Sequence, residues 1–195
     1  VFNAAGVGRY LGFQDWAAAG GNAPQADGNA VRANNMITYV TPNFSGFNAS
    51  VAYAFDEKAQ ANKAGRYAGG SIGYDNGPLS VTAAYATLKT NLLGAAADRD
   101  TYSIGASYDF GAAKVTGMAN QIKYKADGIS SQKINSYLIG LSAPVGGVGE
   151  VKAQYALYDQ KAIDSKAHQL SVGYDHNLSK RTAVYGIVSH LKNKD

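Results

Sequence analysis

Three segments of the chain, Phe47–Phe55, Leu79–Leu88 and Tyr102–Phe110, carry large apolar side chains on one parity and small or polar ones on the other. In the third, Tyr102, Ile104, Ala106, Tyr108 and Phe110 face one way, and Thr101, Ser103, Gly105, Ser107 and Asp109 the other. Side chains alternate across a β-strand, so each segment has one apolar and one wet face. Soluble sheets share this alternation, but their strands usually run about five or six residues. A tilted strand needs about nine to eleven residues to cross a bilayer. The pattern therefore predicts an all-β fold, a transmembrane antiparallel up-and-down β-barrel with lipid outside and water inside.

Composition narrows the function classes. The mean hydropathy is −0.22, and no run approaches the roughly 18 apolar residues of a membrane helix. That leaves barrel strands, which are individually too polar to register in a hydropathy scan. With no cysteine, disulfides and thiolate metal sites within the chain are excluded. The 18 basic residues, for a net charge of +4, are scattered rather than clustered, so no nucleic-acid footprint is read.

From about residue 35 strand and turn signals alternate. Ten strands are expected, at about 34–40, 47–55, 67–74, 79–88, 101–110, 113–124, 133–142, 149–158, 168–175 and 182–191. Lys114–Lys125 changes phase midway, which suggests a bulge, and Thr182–Leu191 fits either parity. The connections fall into two classes that take turns. Thr41–Gly46, Asn76–Pro78, Gly111–Ala112, Ala143–Val148 and His176–Arg181 are short and carry turn residues. Asp56–Arg66, Lys89–Asp100, Lys125–Gln132 and Asp159–Ala167 read as longer polar loops. A meander sends alternate connections to opposite edges, so one edge is tightly turned and the other carries the loops, as in outer-membrane barrels. Twelve aromatics, Tyr39, Phe47, Tyr53, Phe55, Tyr74, Tyr85, Tyr102, Tyr108, Phe110, Tyr155, Tyr174 and Tyr185, mostly lie near strand ends, where girdles flank barrel walls. Residues 1–33 show no sustained period of two, yet hold Phe2, Tyr10, Phe13 and Trp16. Long loops of this kind are uncommon unless functional or disordered, and the aromatics argue against disorder.

Arg32-Ala33-Asn34-Asn35-Met36-Ile37-Thr38-Tyr39-Val40-Thr41-Pro42-Asn43-Phe44-Ser45-Gly46-Phe47 resembles the stretch Arg-x-Asn-Asn-Ser-x-x-Tyr-x-Ser-Pro-x-Phe-x-Gly-Phe of Gram-negative general porins, above all the beta-proteobacterial ones. Tyr174-Asp175-His176-Asn177-Leu178-Ser179-Lys180-Arg181-Thr182-Ala183-Val184-Tyr185, followed by Leu191-Lys192-Asn193, resembles that family's penultimate turn and strand. The family's opening strands and its closing strand ending in Phe have no counterpart. Since such porins have about 16 strands, the resemblance implies a central-to-late portion of a longer barrel, with ten of those strands present.

The resemblance also implies a function: a passive, water-filled diffusion channel in the Gram-negative outer membrane for ions and small hydrophilic solutes. Its partners would be outer-membrane lipid and two further copies in a homotrimer, with no cofactor, metal or nucleic acid. Residues 1–33 would be the loop that folds into the lumen and narrows it, and residues 34–195 the strands with short periplasmic turns and longer extracellular loops. Asp15 and Asp27 are then the acidic candidates at the constriction, and Arg32, which matches the motif's Arg, and Arg9 the basic ones. Lys152 lies on the wet parity of Val151–Tyr158, which makes it a candidate lumen residue. The net charge and Arg32 together imply a mild anion preference.

Two other classes stay open. An outer-membrane barrel enzyme needs a base and a nucleophile in hydrogen-bond reach, but His168, His176 and His190 are the only histidines and lie at strand edges or turns. No enzyme and no catalytic residue is expected. A soluble β-sandwich binding module explains the alternation and turns, but not the strand lengths or the edge asymmetry.

Overall fold

A computed structural model describes residues 35–55, 65–92, 95–126, 129–161 and 164–194. Ten strands form one antiparallel sheet in chain order. They are β1 (Met36–Val40), β2 (Phe47–Ala54), β3 (Tyr67–Asn76), β4 (Leu79–Leu92), β5 (Ala95–Asp109), β6 (Lys114–Ala126), β7 (Ile129–Val145), β8 (Gly149–Gln160), β9 (Ser165–Ser179) and β10 (Thr182–Lys194). All ten expected strands are present. Among the described residues β1 pairs only β2, and β10 only β9. The lumen loop expected over residues 1–33, and residues 56–64 of the loop expected over Asp56–Arg66, lie outside the described residues.

The tight edge is built as the turn residues predict. Gly77-Pro78 alone joins β3 to β4, and Lys180-Arg181 joins β9 to β10. Gly77, Gly111, Gly146 and Gly147 all take positive φ, which glycine adopts without steric cost. Gly46 (φ 96°) does more than turn. Its carbonyl accepts the Asp75 amide at 2.8 Å, and a Cβ there would collide with the Asp75 carbonyl oxygen.

The other edge departs from expectation. Residues 89–100, 125–132 and 159–167 read as long polar loops, yet β4 runs to Leu92, β5 starts at Ala95, β6 runs to Ala126 and β7 starts at Ile129. The cause is cross-strand charge. Lys89 stands directly opposite Asp98 and binds it at 2.6 Å, and Lys125 binds Asp100 at 3.0 Å. Opposite charges facing across a ladder stabilise pairing, so the sheet continues past the apolar stretch on hydrophilic residues.

The phase change in β6 is not a bulge. Its register with β5 is unbroken from Lys114 to Ala126, and its only irregularity against β7 falls between Tyr124 and Ala126. The alternation persists, and Ile122 and Tyr124 simply lie on the polar face, buried with Ala97 and Ile134. In β10 the register resolves the ambiguity. Val184, Gly186 and Val188 face with His176, Tyr174 and Val172, and Tyr185 faces with Asp175 on the polar side. Tyr185 is thus no part of an outward girdle.

The opposite face is apolar and uncovered. Val51, Ile72, Ile104, Ile139, Leu141, Val172 and Val188 are all exposed, on strands of one continuous sheet. A contiguous exposed patch of this extent is foreign to a monomeric soluble protein. Aromatics border it in two rows, with Phe47, Tyr108 and Phe110 toward the tight turns and Tyr53, Tyr85, Tyr102 and Tyr155 toward the other edge. Contacts link them, Phe47–Tyr74 at 4.5 Å and Tyr85–Tyr102 at 4.9 Å between centroids. Tyr102 and Tyr108 stand six residues apart on β5, which at about 3.3 Å per residue is about 20 Å. That is the order of the roughly 25 Å apolar band of outer-membrane barrels.

This face predicts an asymmetric response to charge. In the protein refolded into phospholipid vesicles, Ile104→Arg should cost about 2–4 kcal/mol. Ser103→Lys, one residue along on the polar face, should cost less than about 1 kcal/mol. Equilibrium denaturant unfolding checks the pair, and equal losses would mean that the apolar face is not in lipid.

Candidate functional site

The polar face is the part of the sheet able to hold water and solutes. It is lined with short side chains because the wet parity of each strand is written in Ser, Thr, Gly, Ala and Asn. Ser50 on β2 meets Ser71 on β3 at 2.7 Å. Ser103 on β5 donates to Asn120 on β6 at 2.9 Å. Ser189 on β10 donates to Ser171 on β9 at 2.9 Å, and Gln169 donates to the same hydroxyl at 3.3 Å. Each serine pair stands directly opposite in the register, so the hydroxyls satisfy one another across the ladder.

Toward the edge with the longer strands this face is partly closed. Ala156, Tyr158 and Ala167 form a buried cluster with Leu138 and Leu191 against it. Gln160 is fully buried there, and neither atom of its amide has a hydrogen-bond partner among the described residues. Arg99 belongs to the same parity as Thr101 and Ser103 and stands between Leu88 and Tyr124. Its Nε is buried without a partner among the described residues.

Toward the tight turns the face carries charge. Lys152, with its side chain 14% exposed, is held between Glu150 at 3.1 Å and Asp175 at 2.5 Å. Glu150 and Asp175 stand directly opposite on β8 and β9, an unfavourable placement for two carboxylates that the ammonium between them offsets. Lys114 faces Asp109 on the neighbouring strand, and Asn48 donates to Asp75 at 3.0 Å. At the far end of β8, on the apolar parity, Asp159 binds Lys161 at 2.7 Å, and that hydrogen bond raises the Lys161 pKa above its ordinary value.

Of the sequence candidates, Lys152 lies on the polar face near the tight-turn edge, tied to two carboxylates. Arg9, Asp15, Asp27 and Arg32 lie outside the described residues. Arg99 and Lys114 are polar-face cations that the sequence reading passes over. A loop over residues 89–100 hides Arg99; extending the alternation Ser103, Thr101 backward by one step finds it. The histidines turn away from this face. His168 and His176 share the apolar parity of β9, with Nδ1 atoms 2.6 Å and 3.0 Å from the hydroxyls of Tyr155 and Tyr174. His190 lies opposite Leu170 on that side. Among the described residues no group of three or more side chains could hold a metal ion.

Comparison with known proteins agrees with this architecture. The family model described as Gram-negative porin matches residues 1–195. Over 198 residues the chain is 59% identical to outer membrane porin protein 32 of Delftia acidovorans, covering 100% of this chain and 55% of that protein. Over 206 residues it is 32% identical to an outer membrane porin protein of Bordetella pertussis, covering 85% of this chain and 54% of that protein. The solved structure of an anion-selective porin from Comamonas acidovorans superimposes with a TM-score of 0.86 at 59% identity, over 95% of this chain and 55% of that one. The chain therefore spans about half the length of the relatives it matches.

The charged trio gives a direct test. Lys152→Met leaves Glu150 and Asp175 opposed without their cation and should cost about 1–3 kcal/mol at neutral pH. The double variant Lys152→Met/Glu150→Gln should recover part of that loss. Chemical unfolding in lipid checks it; no recovery would mean that the lysine acts by packing alone.

Proposed function

The chain belongs to the Gram-negative porin family, and we propose that it forms part of the wall of an outer-membrane channel through which ions and small hydrophilic solutes diffuse passively. One observation carries the reading: a hydroxyl- and amide-lined face runs across ten adjoining strands, backed by an apolar face bordered with aromatics. Lipid suits one side and water the other. A soluble β-sandwich, by contrast, has no use for an exposed apolar face on every strand.

Transport on this reading needs no covalent step. A solute exchanges some of its water for hydrogen bonds to Ser, Asn and Gln side chains of the wall and follows its gradient. Catalysis has no support from the histidines, which sit on the lipid side of β9 and β10. On this reading the protein is a channel and not an enzyme. Three copies are proposed to assemble, after the family resemblance.

Selectivity follows from charge in the lumen. Residues 1–33 are proposed as the constricting loop, with Asp15 and Asp27 facing Arg9 and Arg32 to set up a transverse field. Arg99 adds a cation to the facing wall. Lys152 is a weaker contributor, because Glu150 and Asp175 neutralise it. The sum favours anions mildly, in line with the anion-selective porin from Comamonas acidovorans, to which the chain is 59% identical.

Planar-bilayer recording of the full-length parent protein tests the reading. Steady ohmic steps are expected, grouped in threes, with a reversal potential displaced toward the anion value under a salt gradient. Arg32→Gln should move that potential toward cations, and Lys152→Gln should move it less. Absence of conductance would sink the channel, and an unchanged potential in Arg32→Gln would remove Arg32 from the selectivity site.

A further inference from the structure

Among the described residues, no ion pair or hydrogen bond engages the Arg99 side chain on the polar face of β5. The same-face positions around it, Ala86 and Leu88 on β4, Thr101 on β5, and Ile122 and Tyr124 on β6, hold no carboxylate. Asp98 and Asp100, its neighbours in sequence, point to the other face and are engaged there by Lys89 and Lys125. Nε is the one Arg99 atom that is buried without a partner. Most of the N–H donors of a guanidinium sit on its terminal nitrogens, which leaves them for an anion from the lumen.

The wall beside Arg99 is closed on one side and apolar on the other. Toward β6, Ile122 and Tyr124 are buried. Toward β3, the register runs Tyr67, Leu88, Arg99 across three neighbouring strands, and all three residues are half-buried. Adjacent strands lie about 4.8 Å apart, so Tyr67 is about 10 Å from Arg99 at the backbone, a gap that the two long side chains narrow. Gly69 shapes the approach. A Cβ there would lie 2.5 Å from the Tyr67 hydroxyl and 3.0 Å from the Ala86 Cβ. The Tyr67 side chain thus leans along its own strand over the glycine and makes a low aromatic floor beside Leu88. A compact, fully hydrated anion gains only the guanidinium here. A carboxylate with a planar apolar body gains the guanidinium fork, which matches a carboxylate bidentately, and the ring contact as well.

We propose that Tyr67, Leu88 and Arg99 form a wall subsite for an aromatic carboxylate, its ring over Tyr67 and Leu88 and its carboxylate on the Arg99 guanidinium. The proposal rests on the channel reading above, and gives that channel a class of solute held at the wall on its way through. Benzoate is a simple solute of that class and serves as the probe.

The test uses the full-length parent protein in detergent, titrated with benzoate and with acetate, which lacks the ring, each dissociation constant being read by saturation-transfer NMR. Wild type should bind benzoate at least about threefold more tightly than acetate. Arg99→Gln should weaken benzoate by about tenfold or more. Tyr67→Leu should weaken it about threefold and leave acetate unchanged. Gly69→Ala keeps both side chains but puts a Cβ where the Tyr67 hydroxyl lies, and should match Tyr67→Leu. Equal affinity of wild type for benzoate and acetate, or unchanged benzoate affinity in Arg99→Gln, would overturn the proposal. Arg99→Gln and Tyr67→Leu act on opposite ends of the solute, so either one that folds decides the matter. Chloride conductance recorded in parallel separates the two readings. A wild type that conducts without preferring benzoate to acetate loses the subsite alone, and one that binds benzoate through Arg99 without conducting keeps the subsite and loses the channel.

Discussion

A backbone amide has nowhere to turn in hydrocarbon, and the rest of the structure depends on that constraint. Each unsatisfied group there costs several kcal/mol, so the ladder must be continuous through the apolar band. Within that band the registers of β2 through β9 run without a break. Irregularities fall only at strand ends, at Tyr124/Ala126 and Thr182/Ala183. With the main chain fixed this way, side-chain identity alone decides what each face meets.

The two faces answer to different solvents, and charge is distributed accordingly. On the polar face acids and bases are interleaved and short hydroxyls bond across strands. On the apolar face charge appears only beyond the aromatics, at one edge. There, lysines and carboxylates facing one another across the ladder extend the sheet.

Much of the fold was legible in the sequence because period two is a strong signal when one side of a strand meets lipid. Ten strands, the tight turns around Gly77, Gly111 and Gly146, and the outward rows of Tyr and Phe could all be read. The strand ends toward the far edge could not. Lys, Asp and Gln look like loop material, and only the cross-strand partnership of Lys89 with Asp98 shows why they pair. The same resemblance to a loop hid Arg99. In β6, apolar Ile122 and Tyr124 on the polar parity imitated a bulge, because the sequence does not say that this face has buried patches of its own. Tyr185 failed for the converse reason: good strand formers occupy either face. The constriction is a proposal drawn from the family resemblance and falls on residues outside the described ones; Lys152 was legible as a wall residue from its parity, and the structure adds Arg99 and Lys114.

Among the described residues every strand pairs only with its neighbours in the chain. A wall of that kind is modular in units of two. Removing or adding one hairpin leaves each remaining side chain on its own face and each remaining turn at its own edge. Removing a single strand would send every later connection to the wrong side of the membrane. Evolution can therefore change the circumference of such a wall by duplicating or losing hairpins, while odd steps demand that all downstream loops be rewritten together.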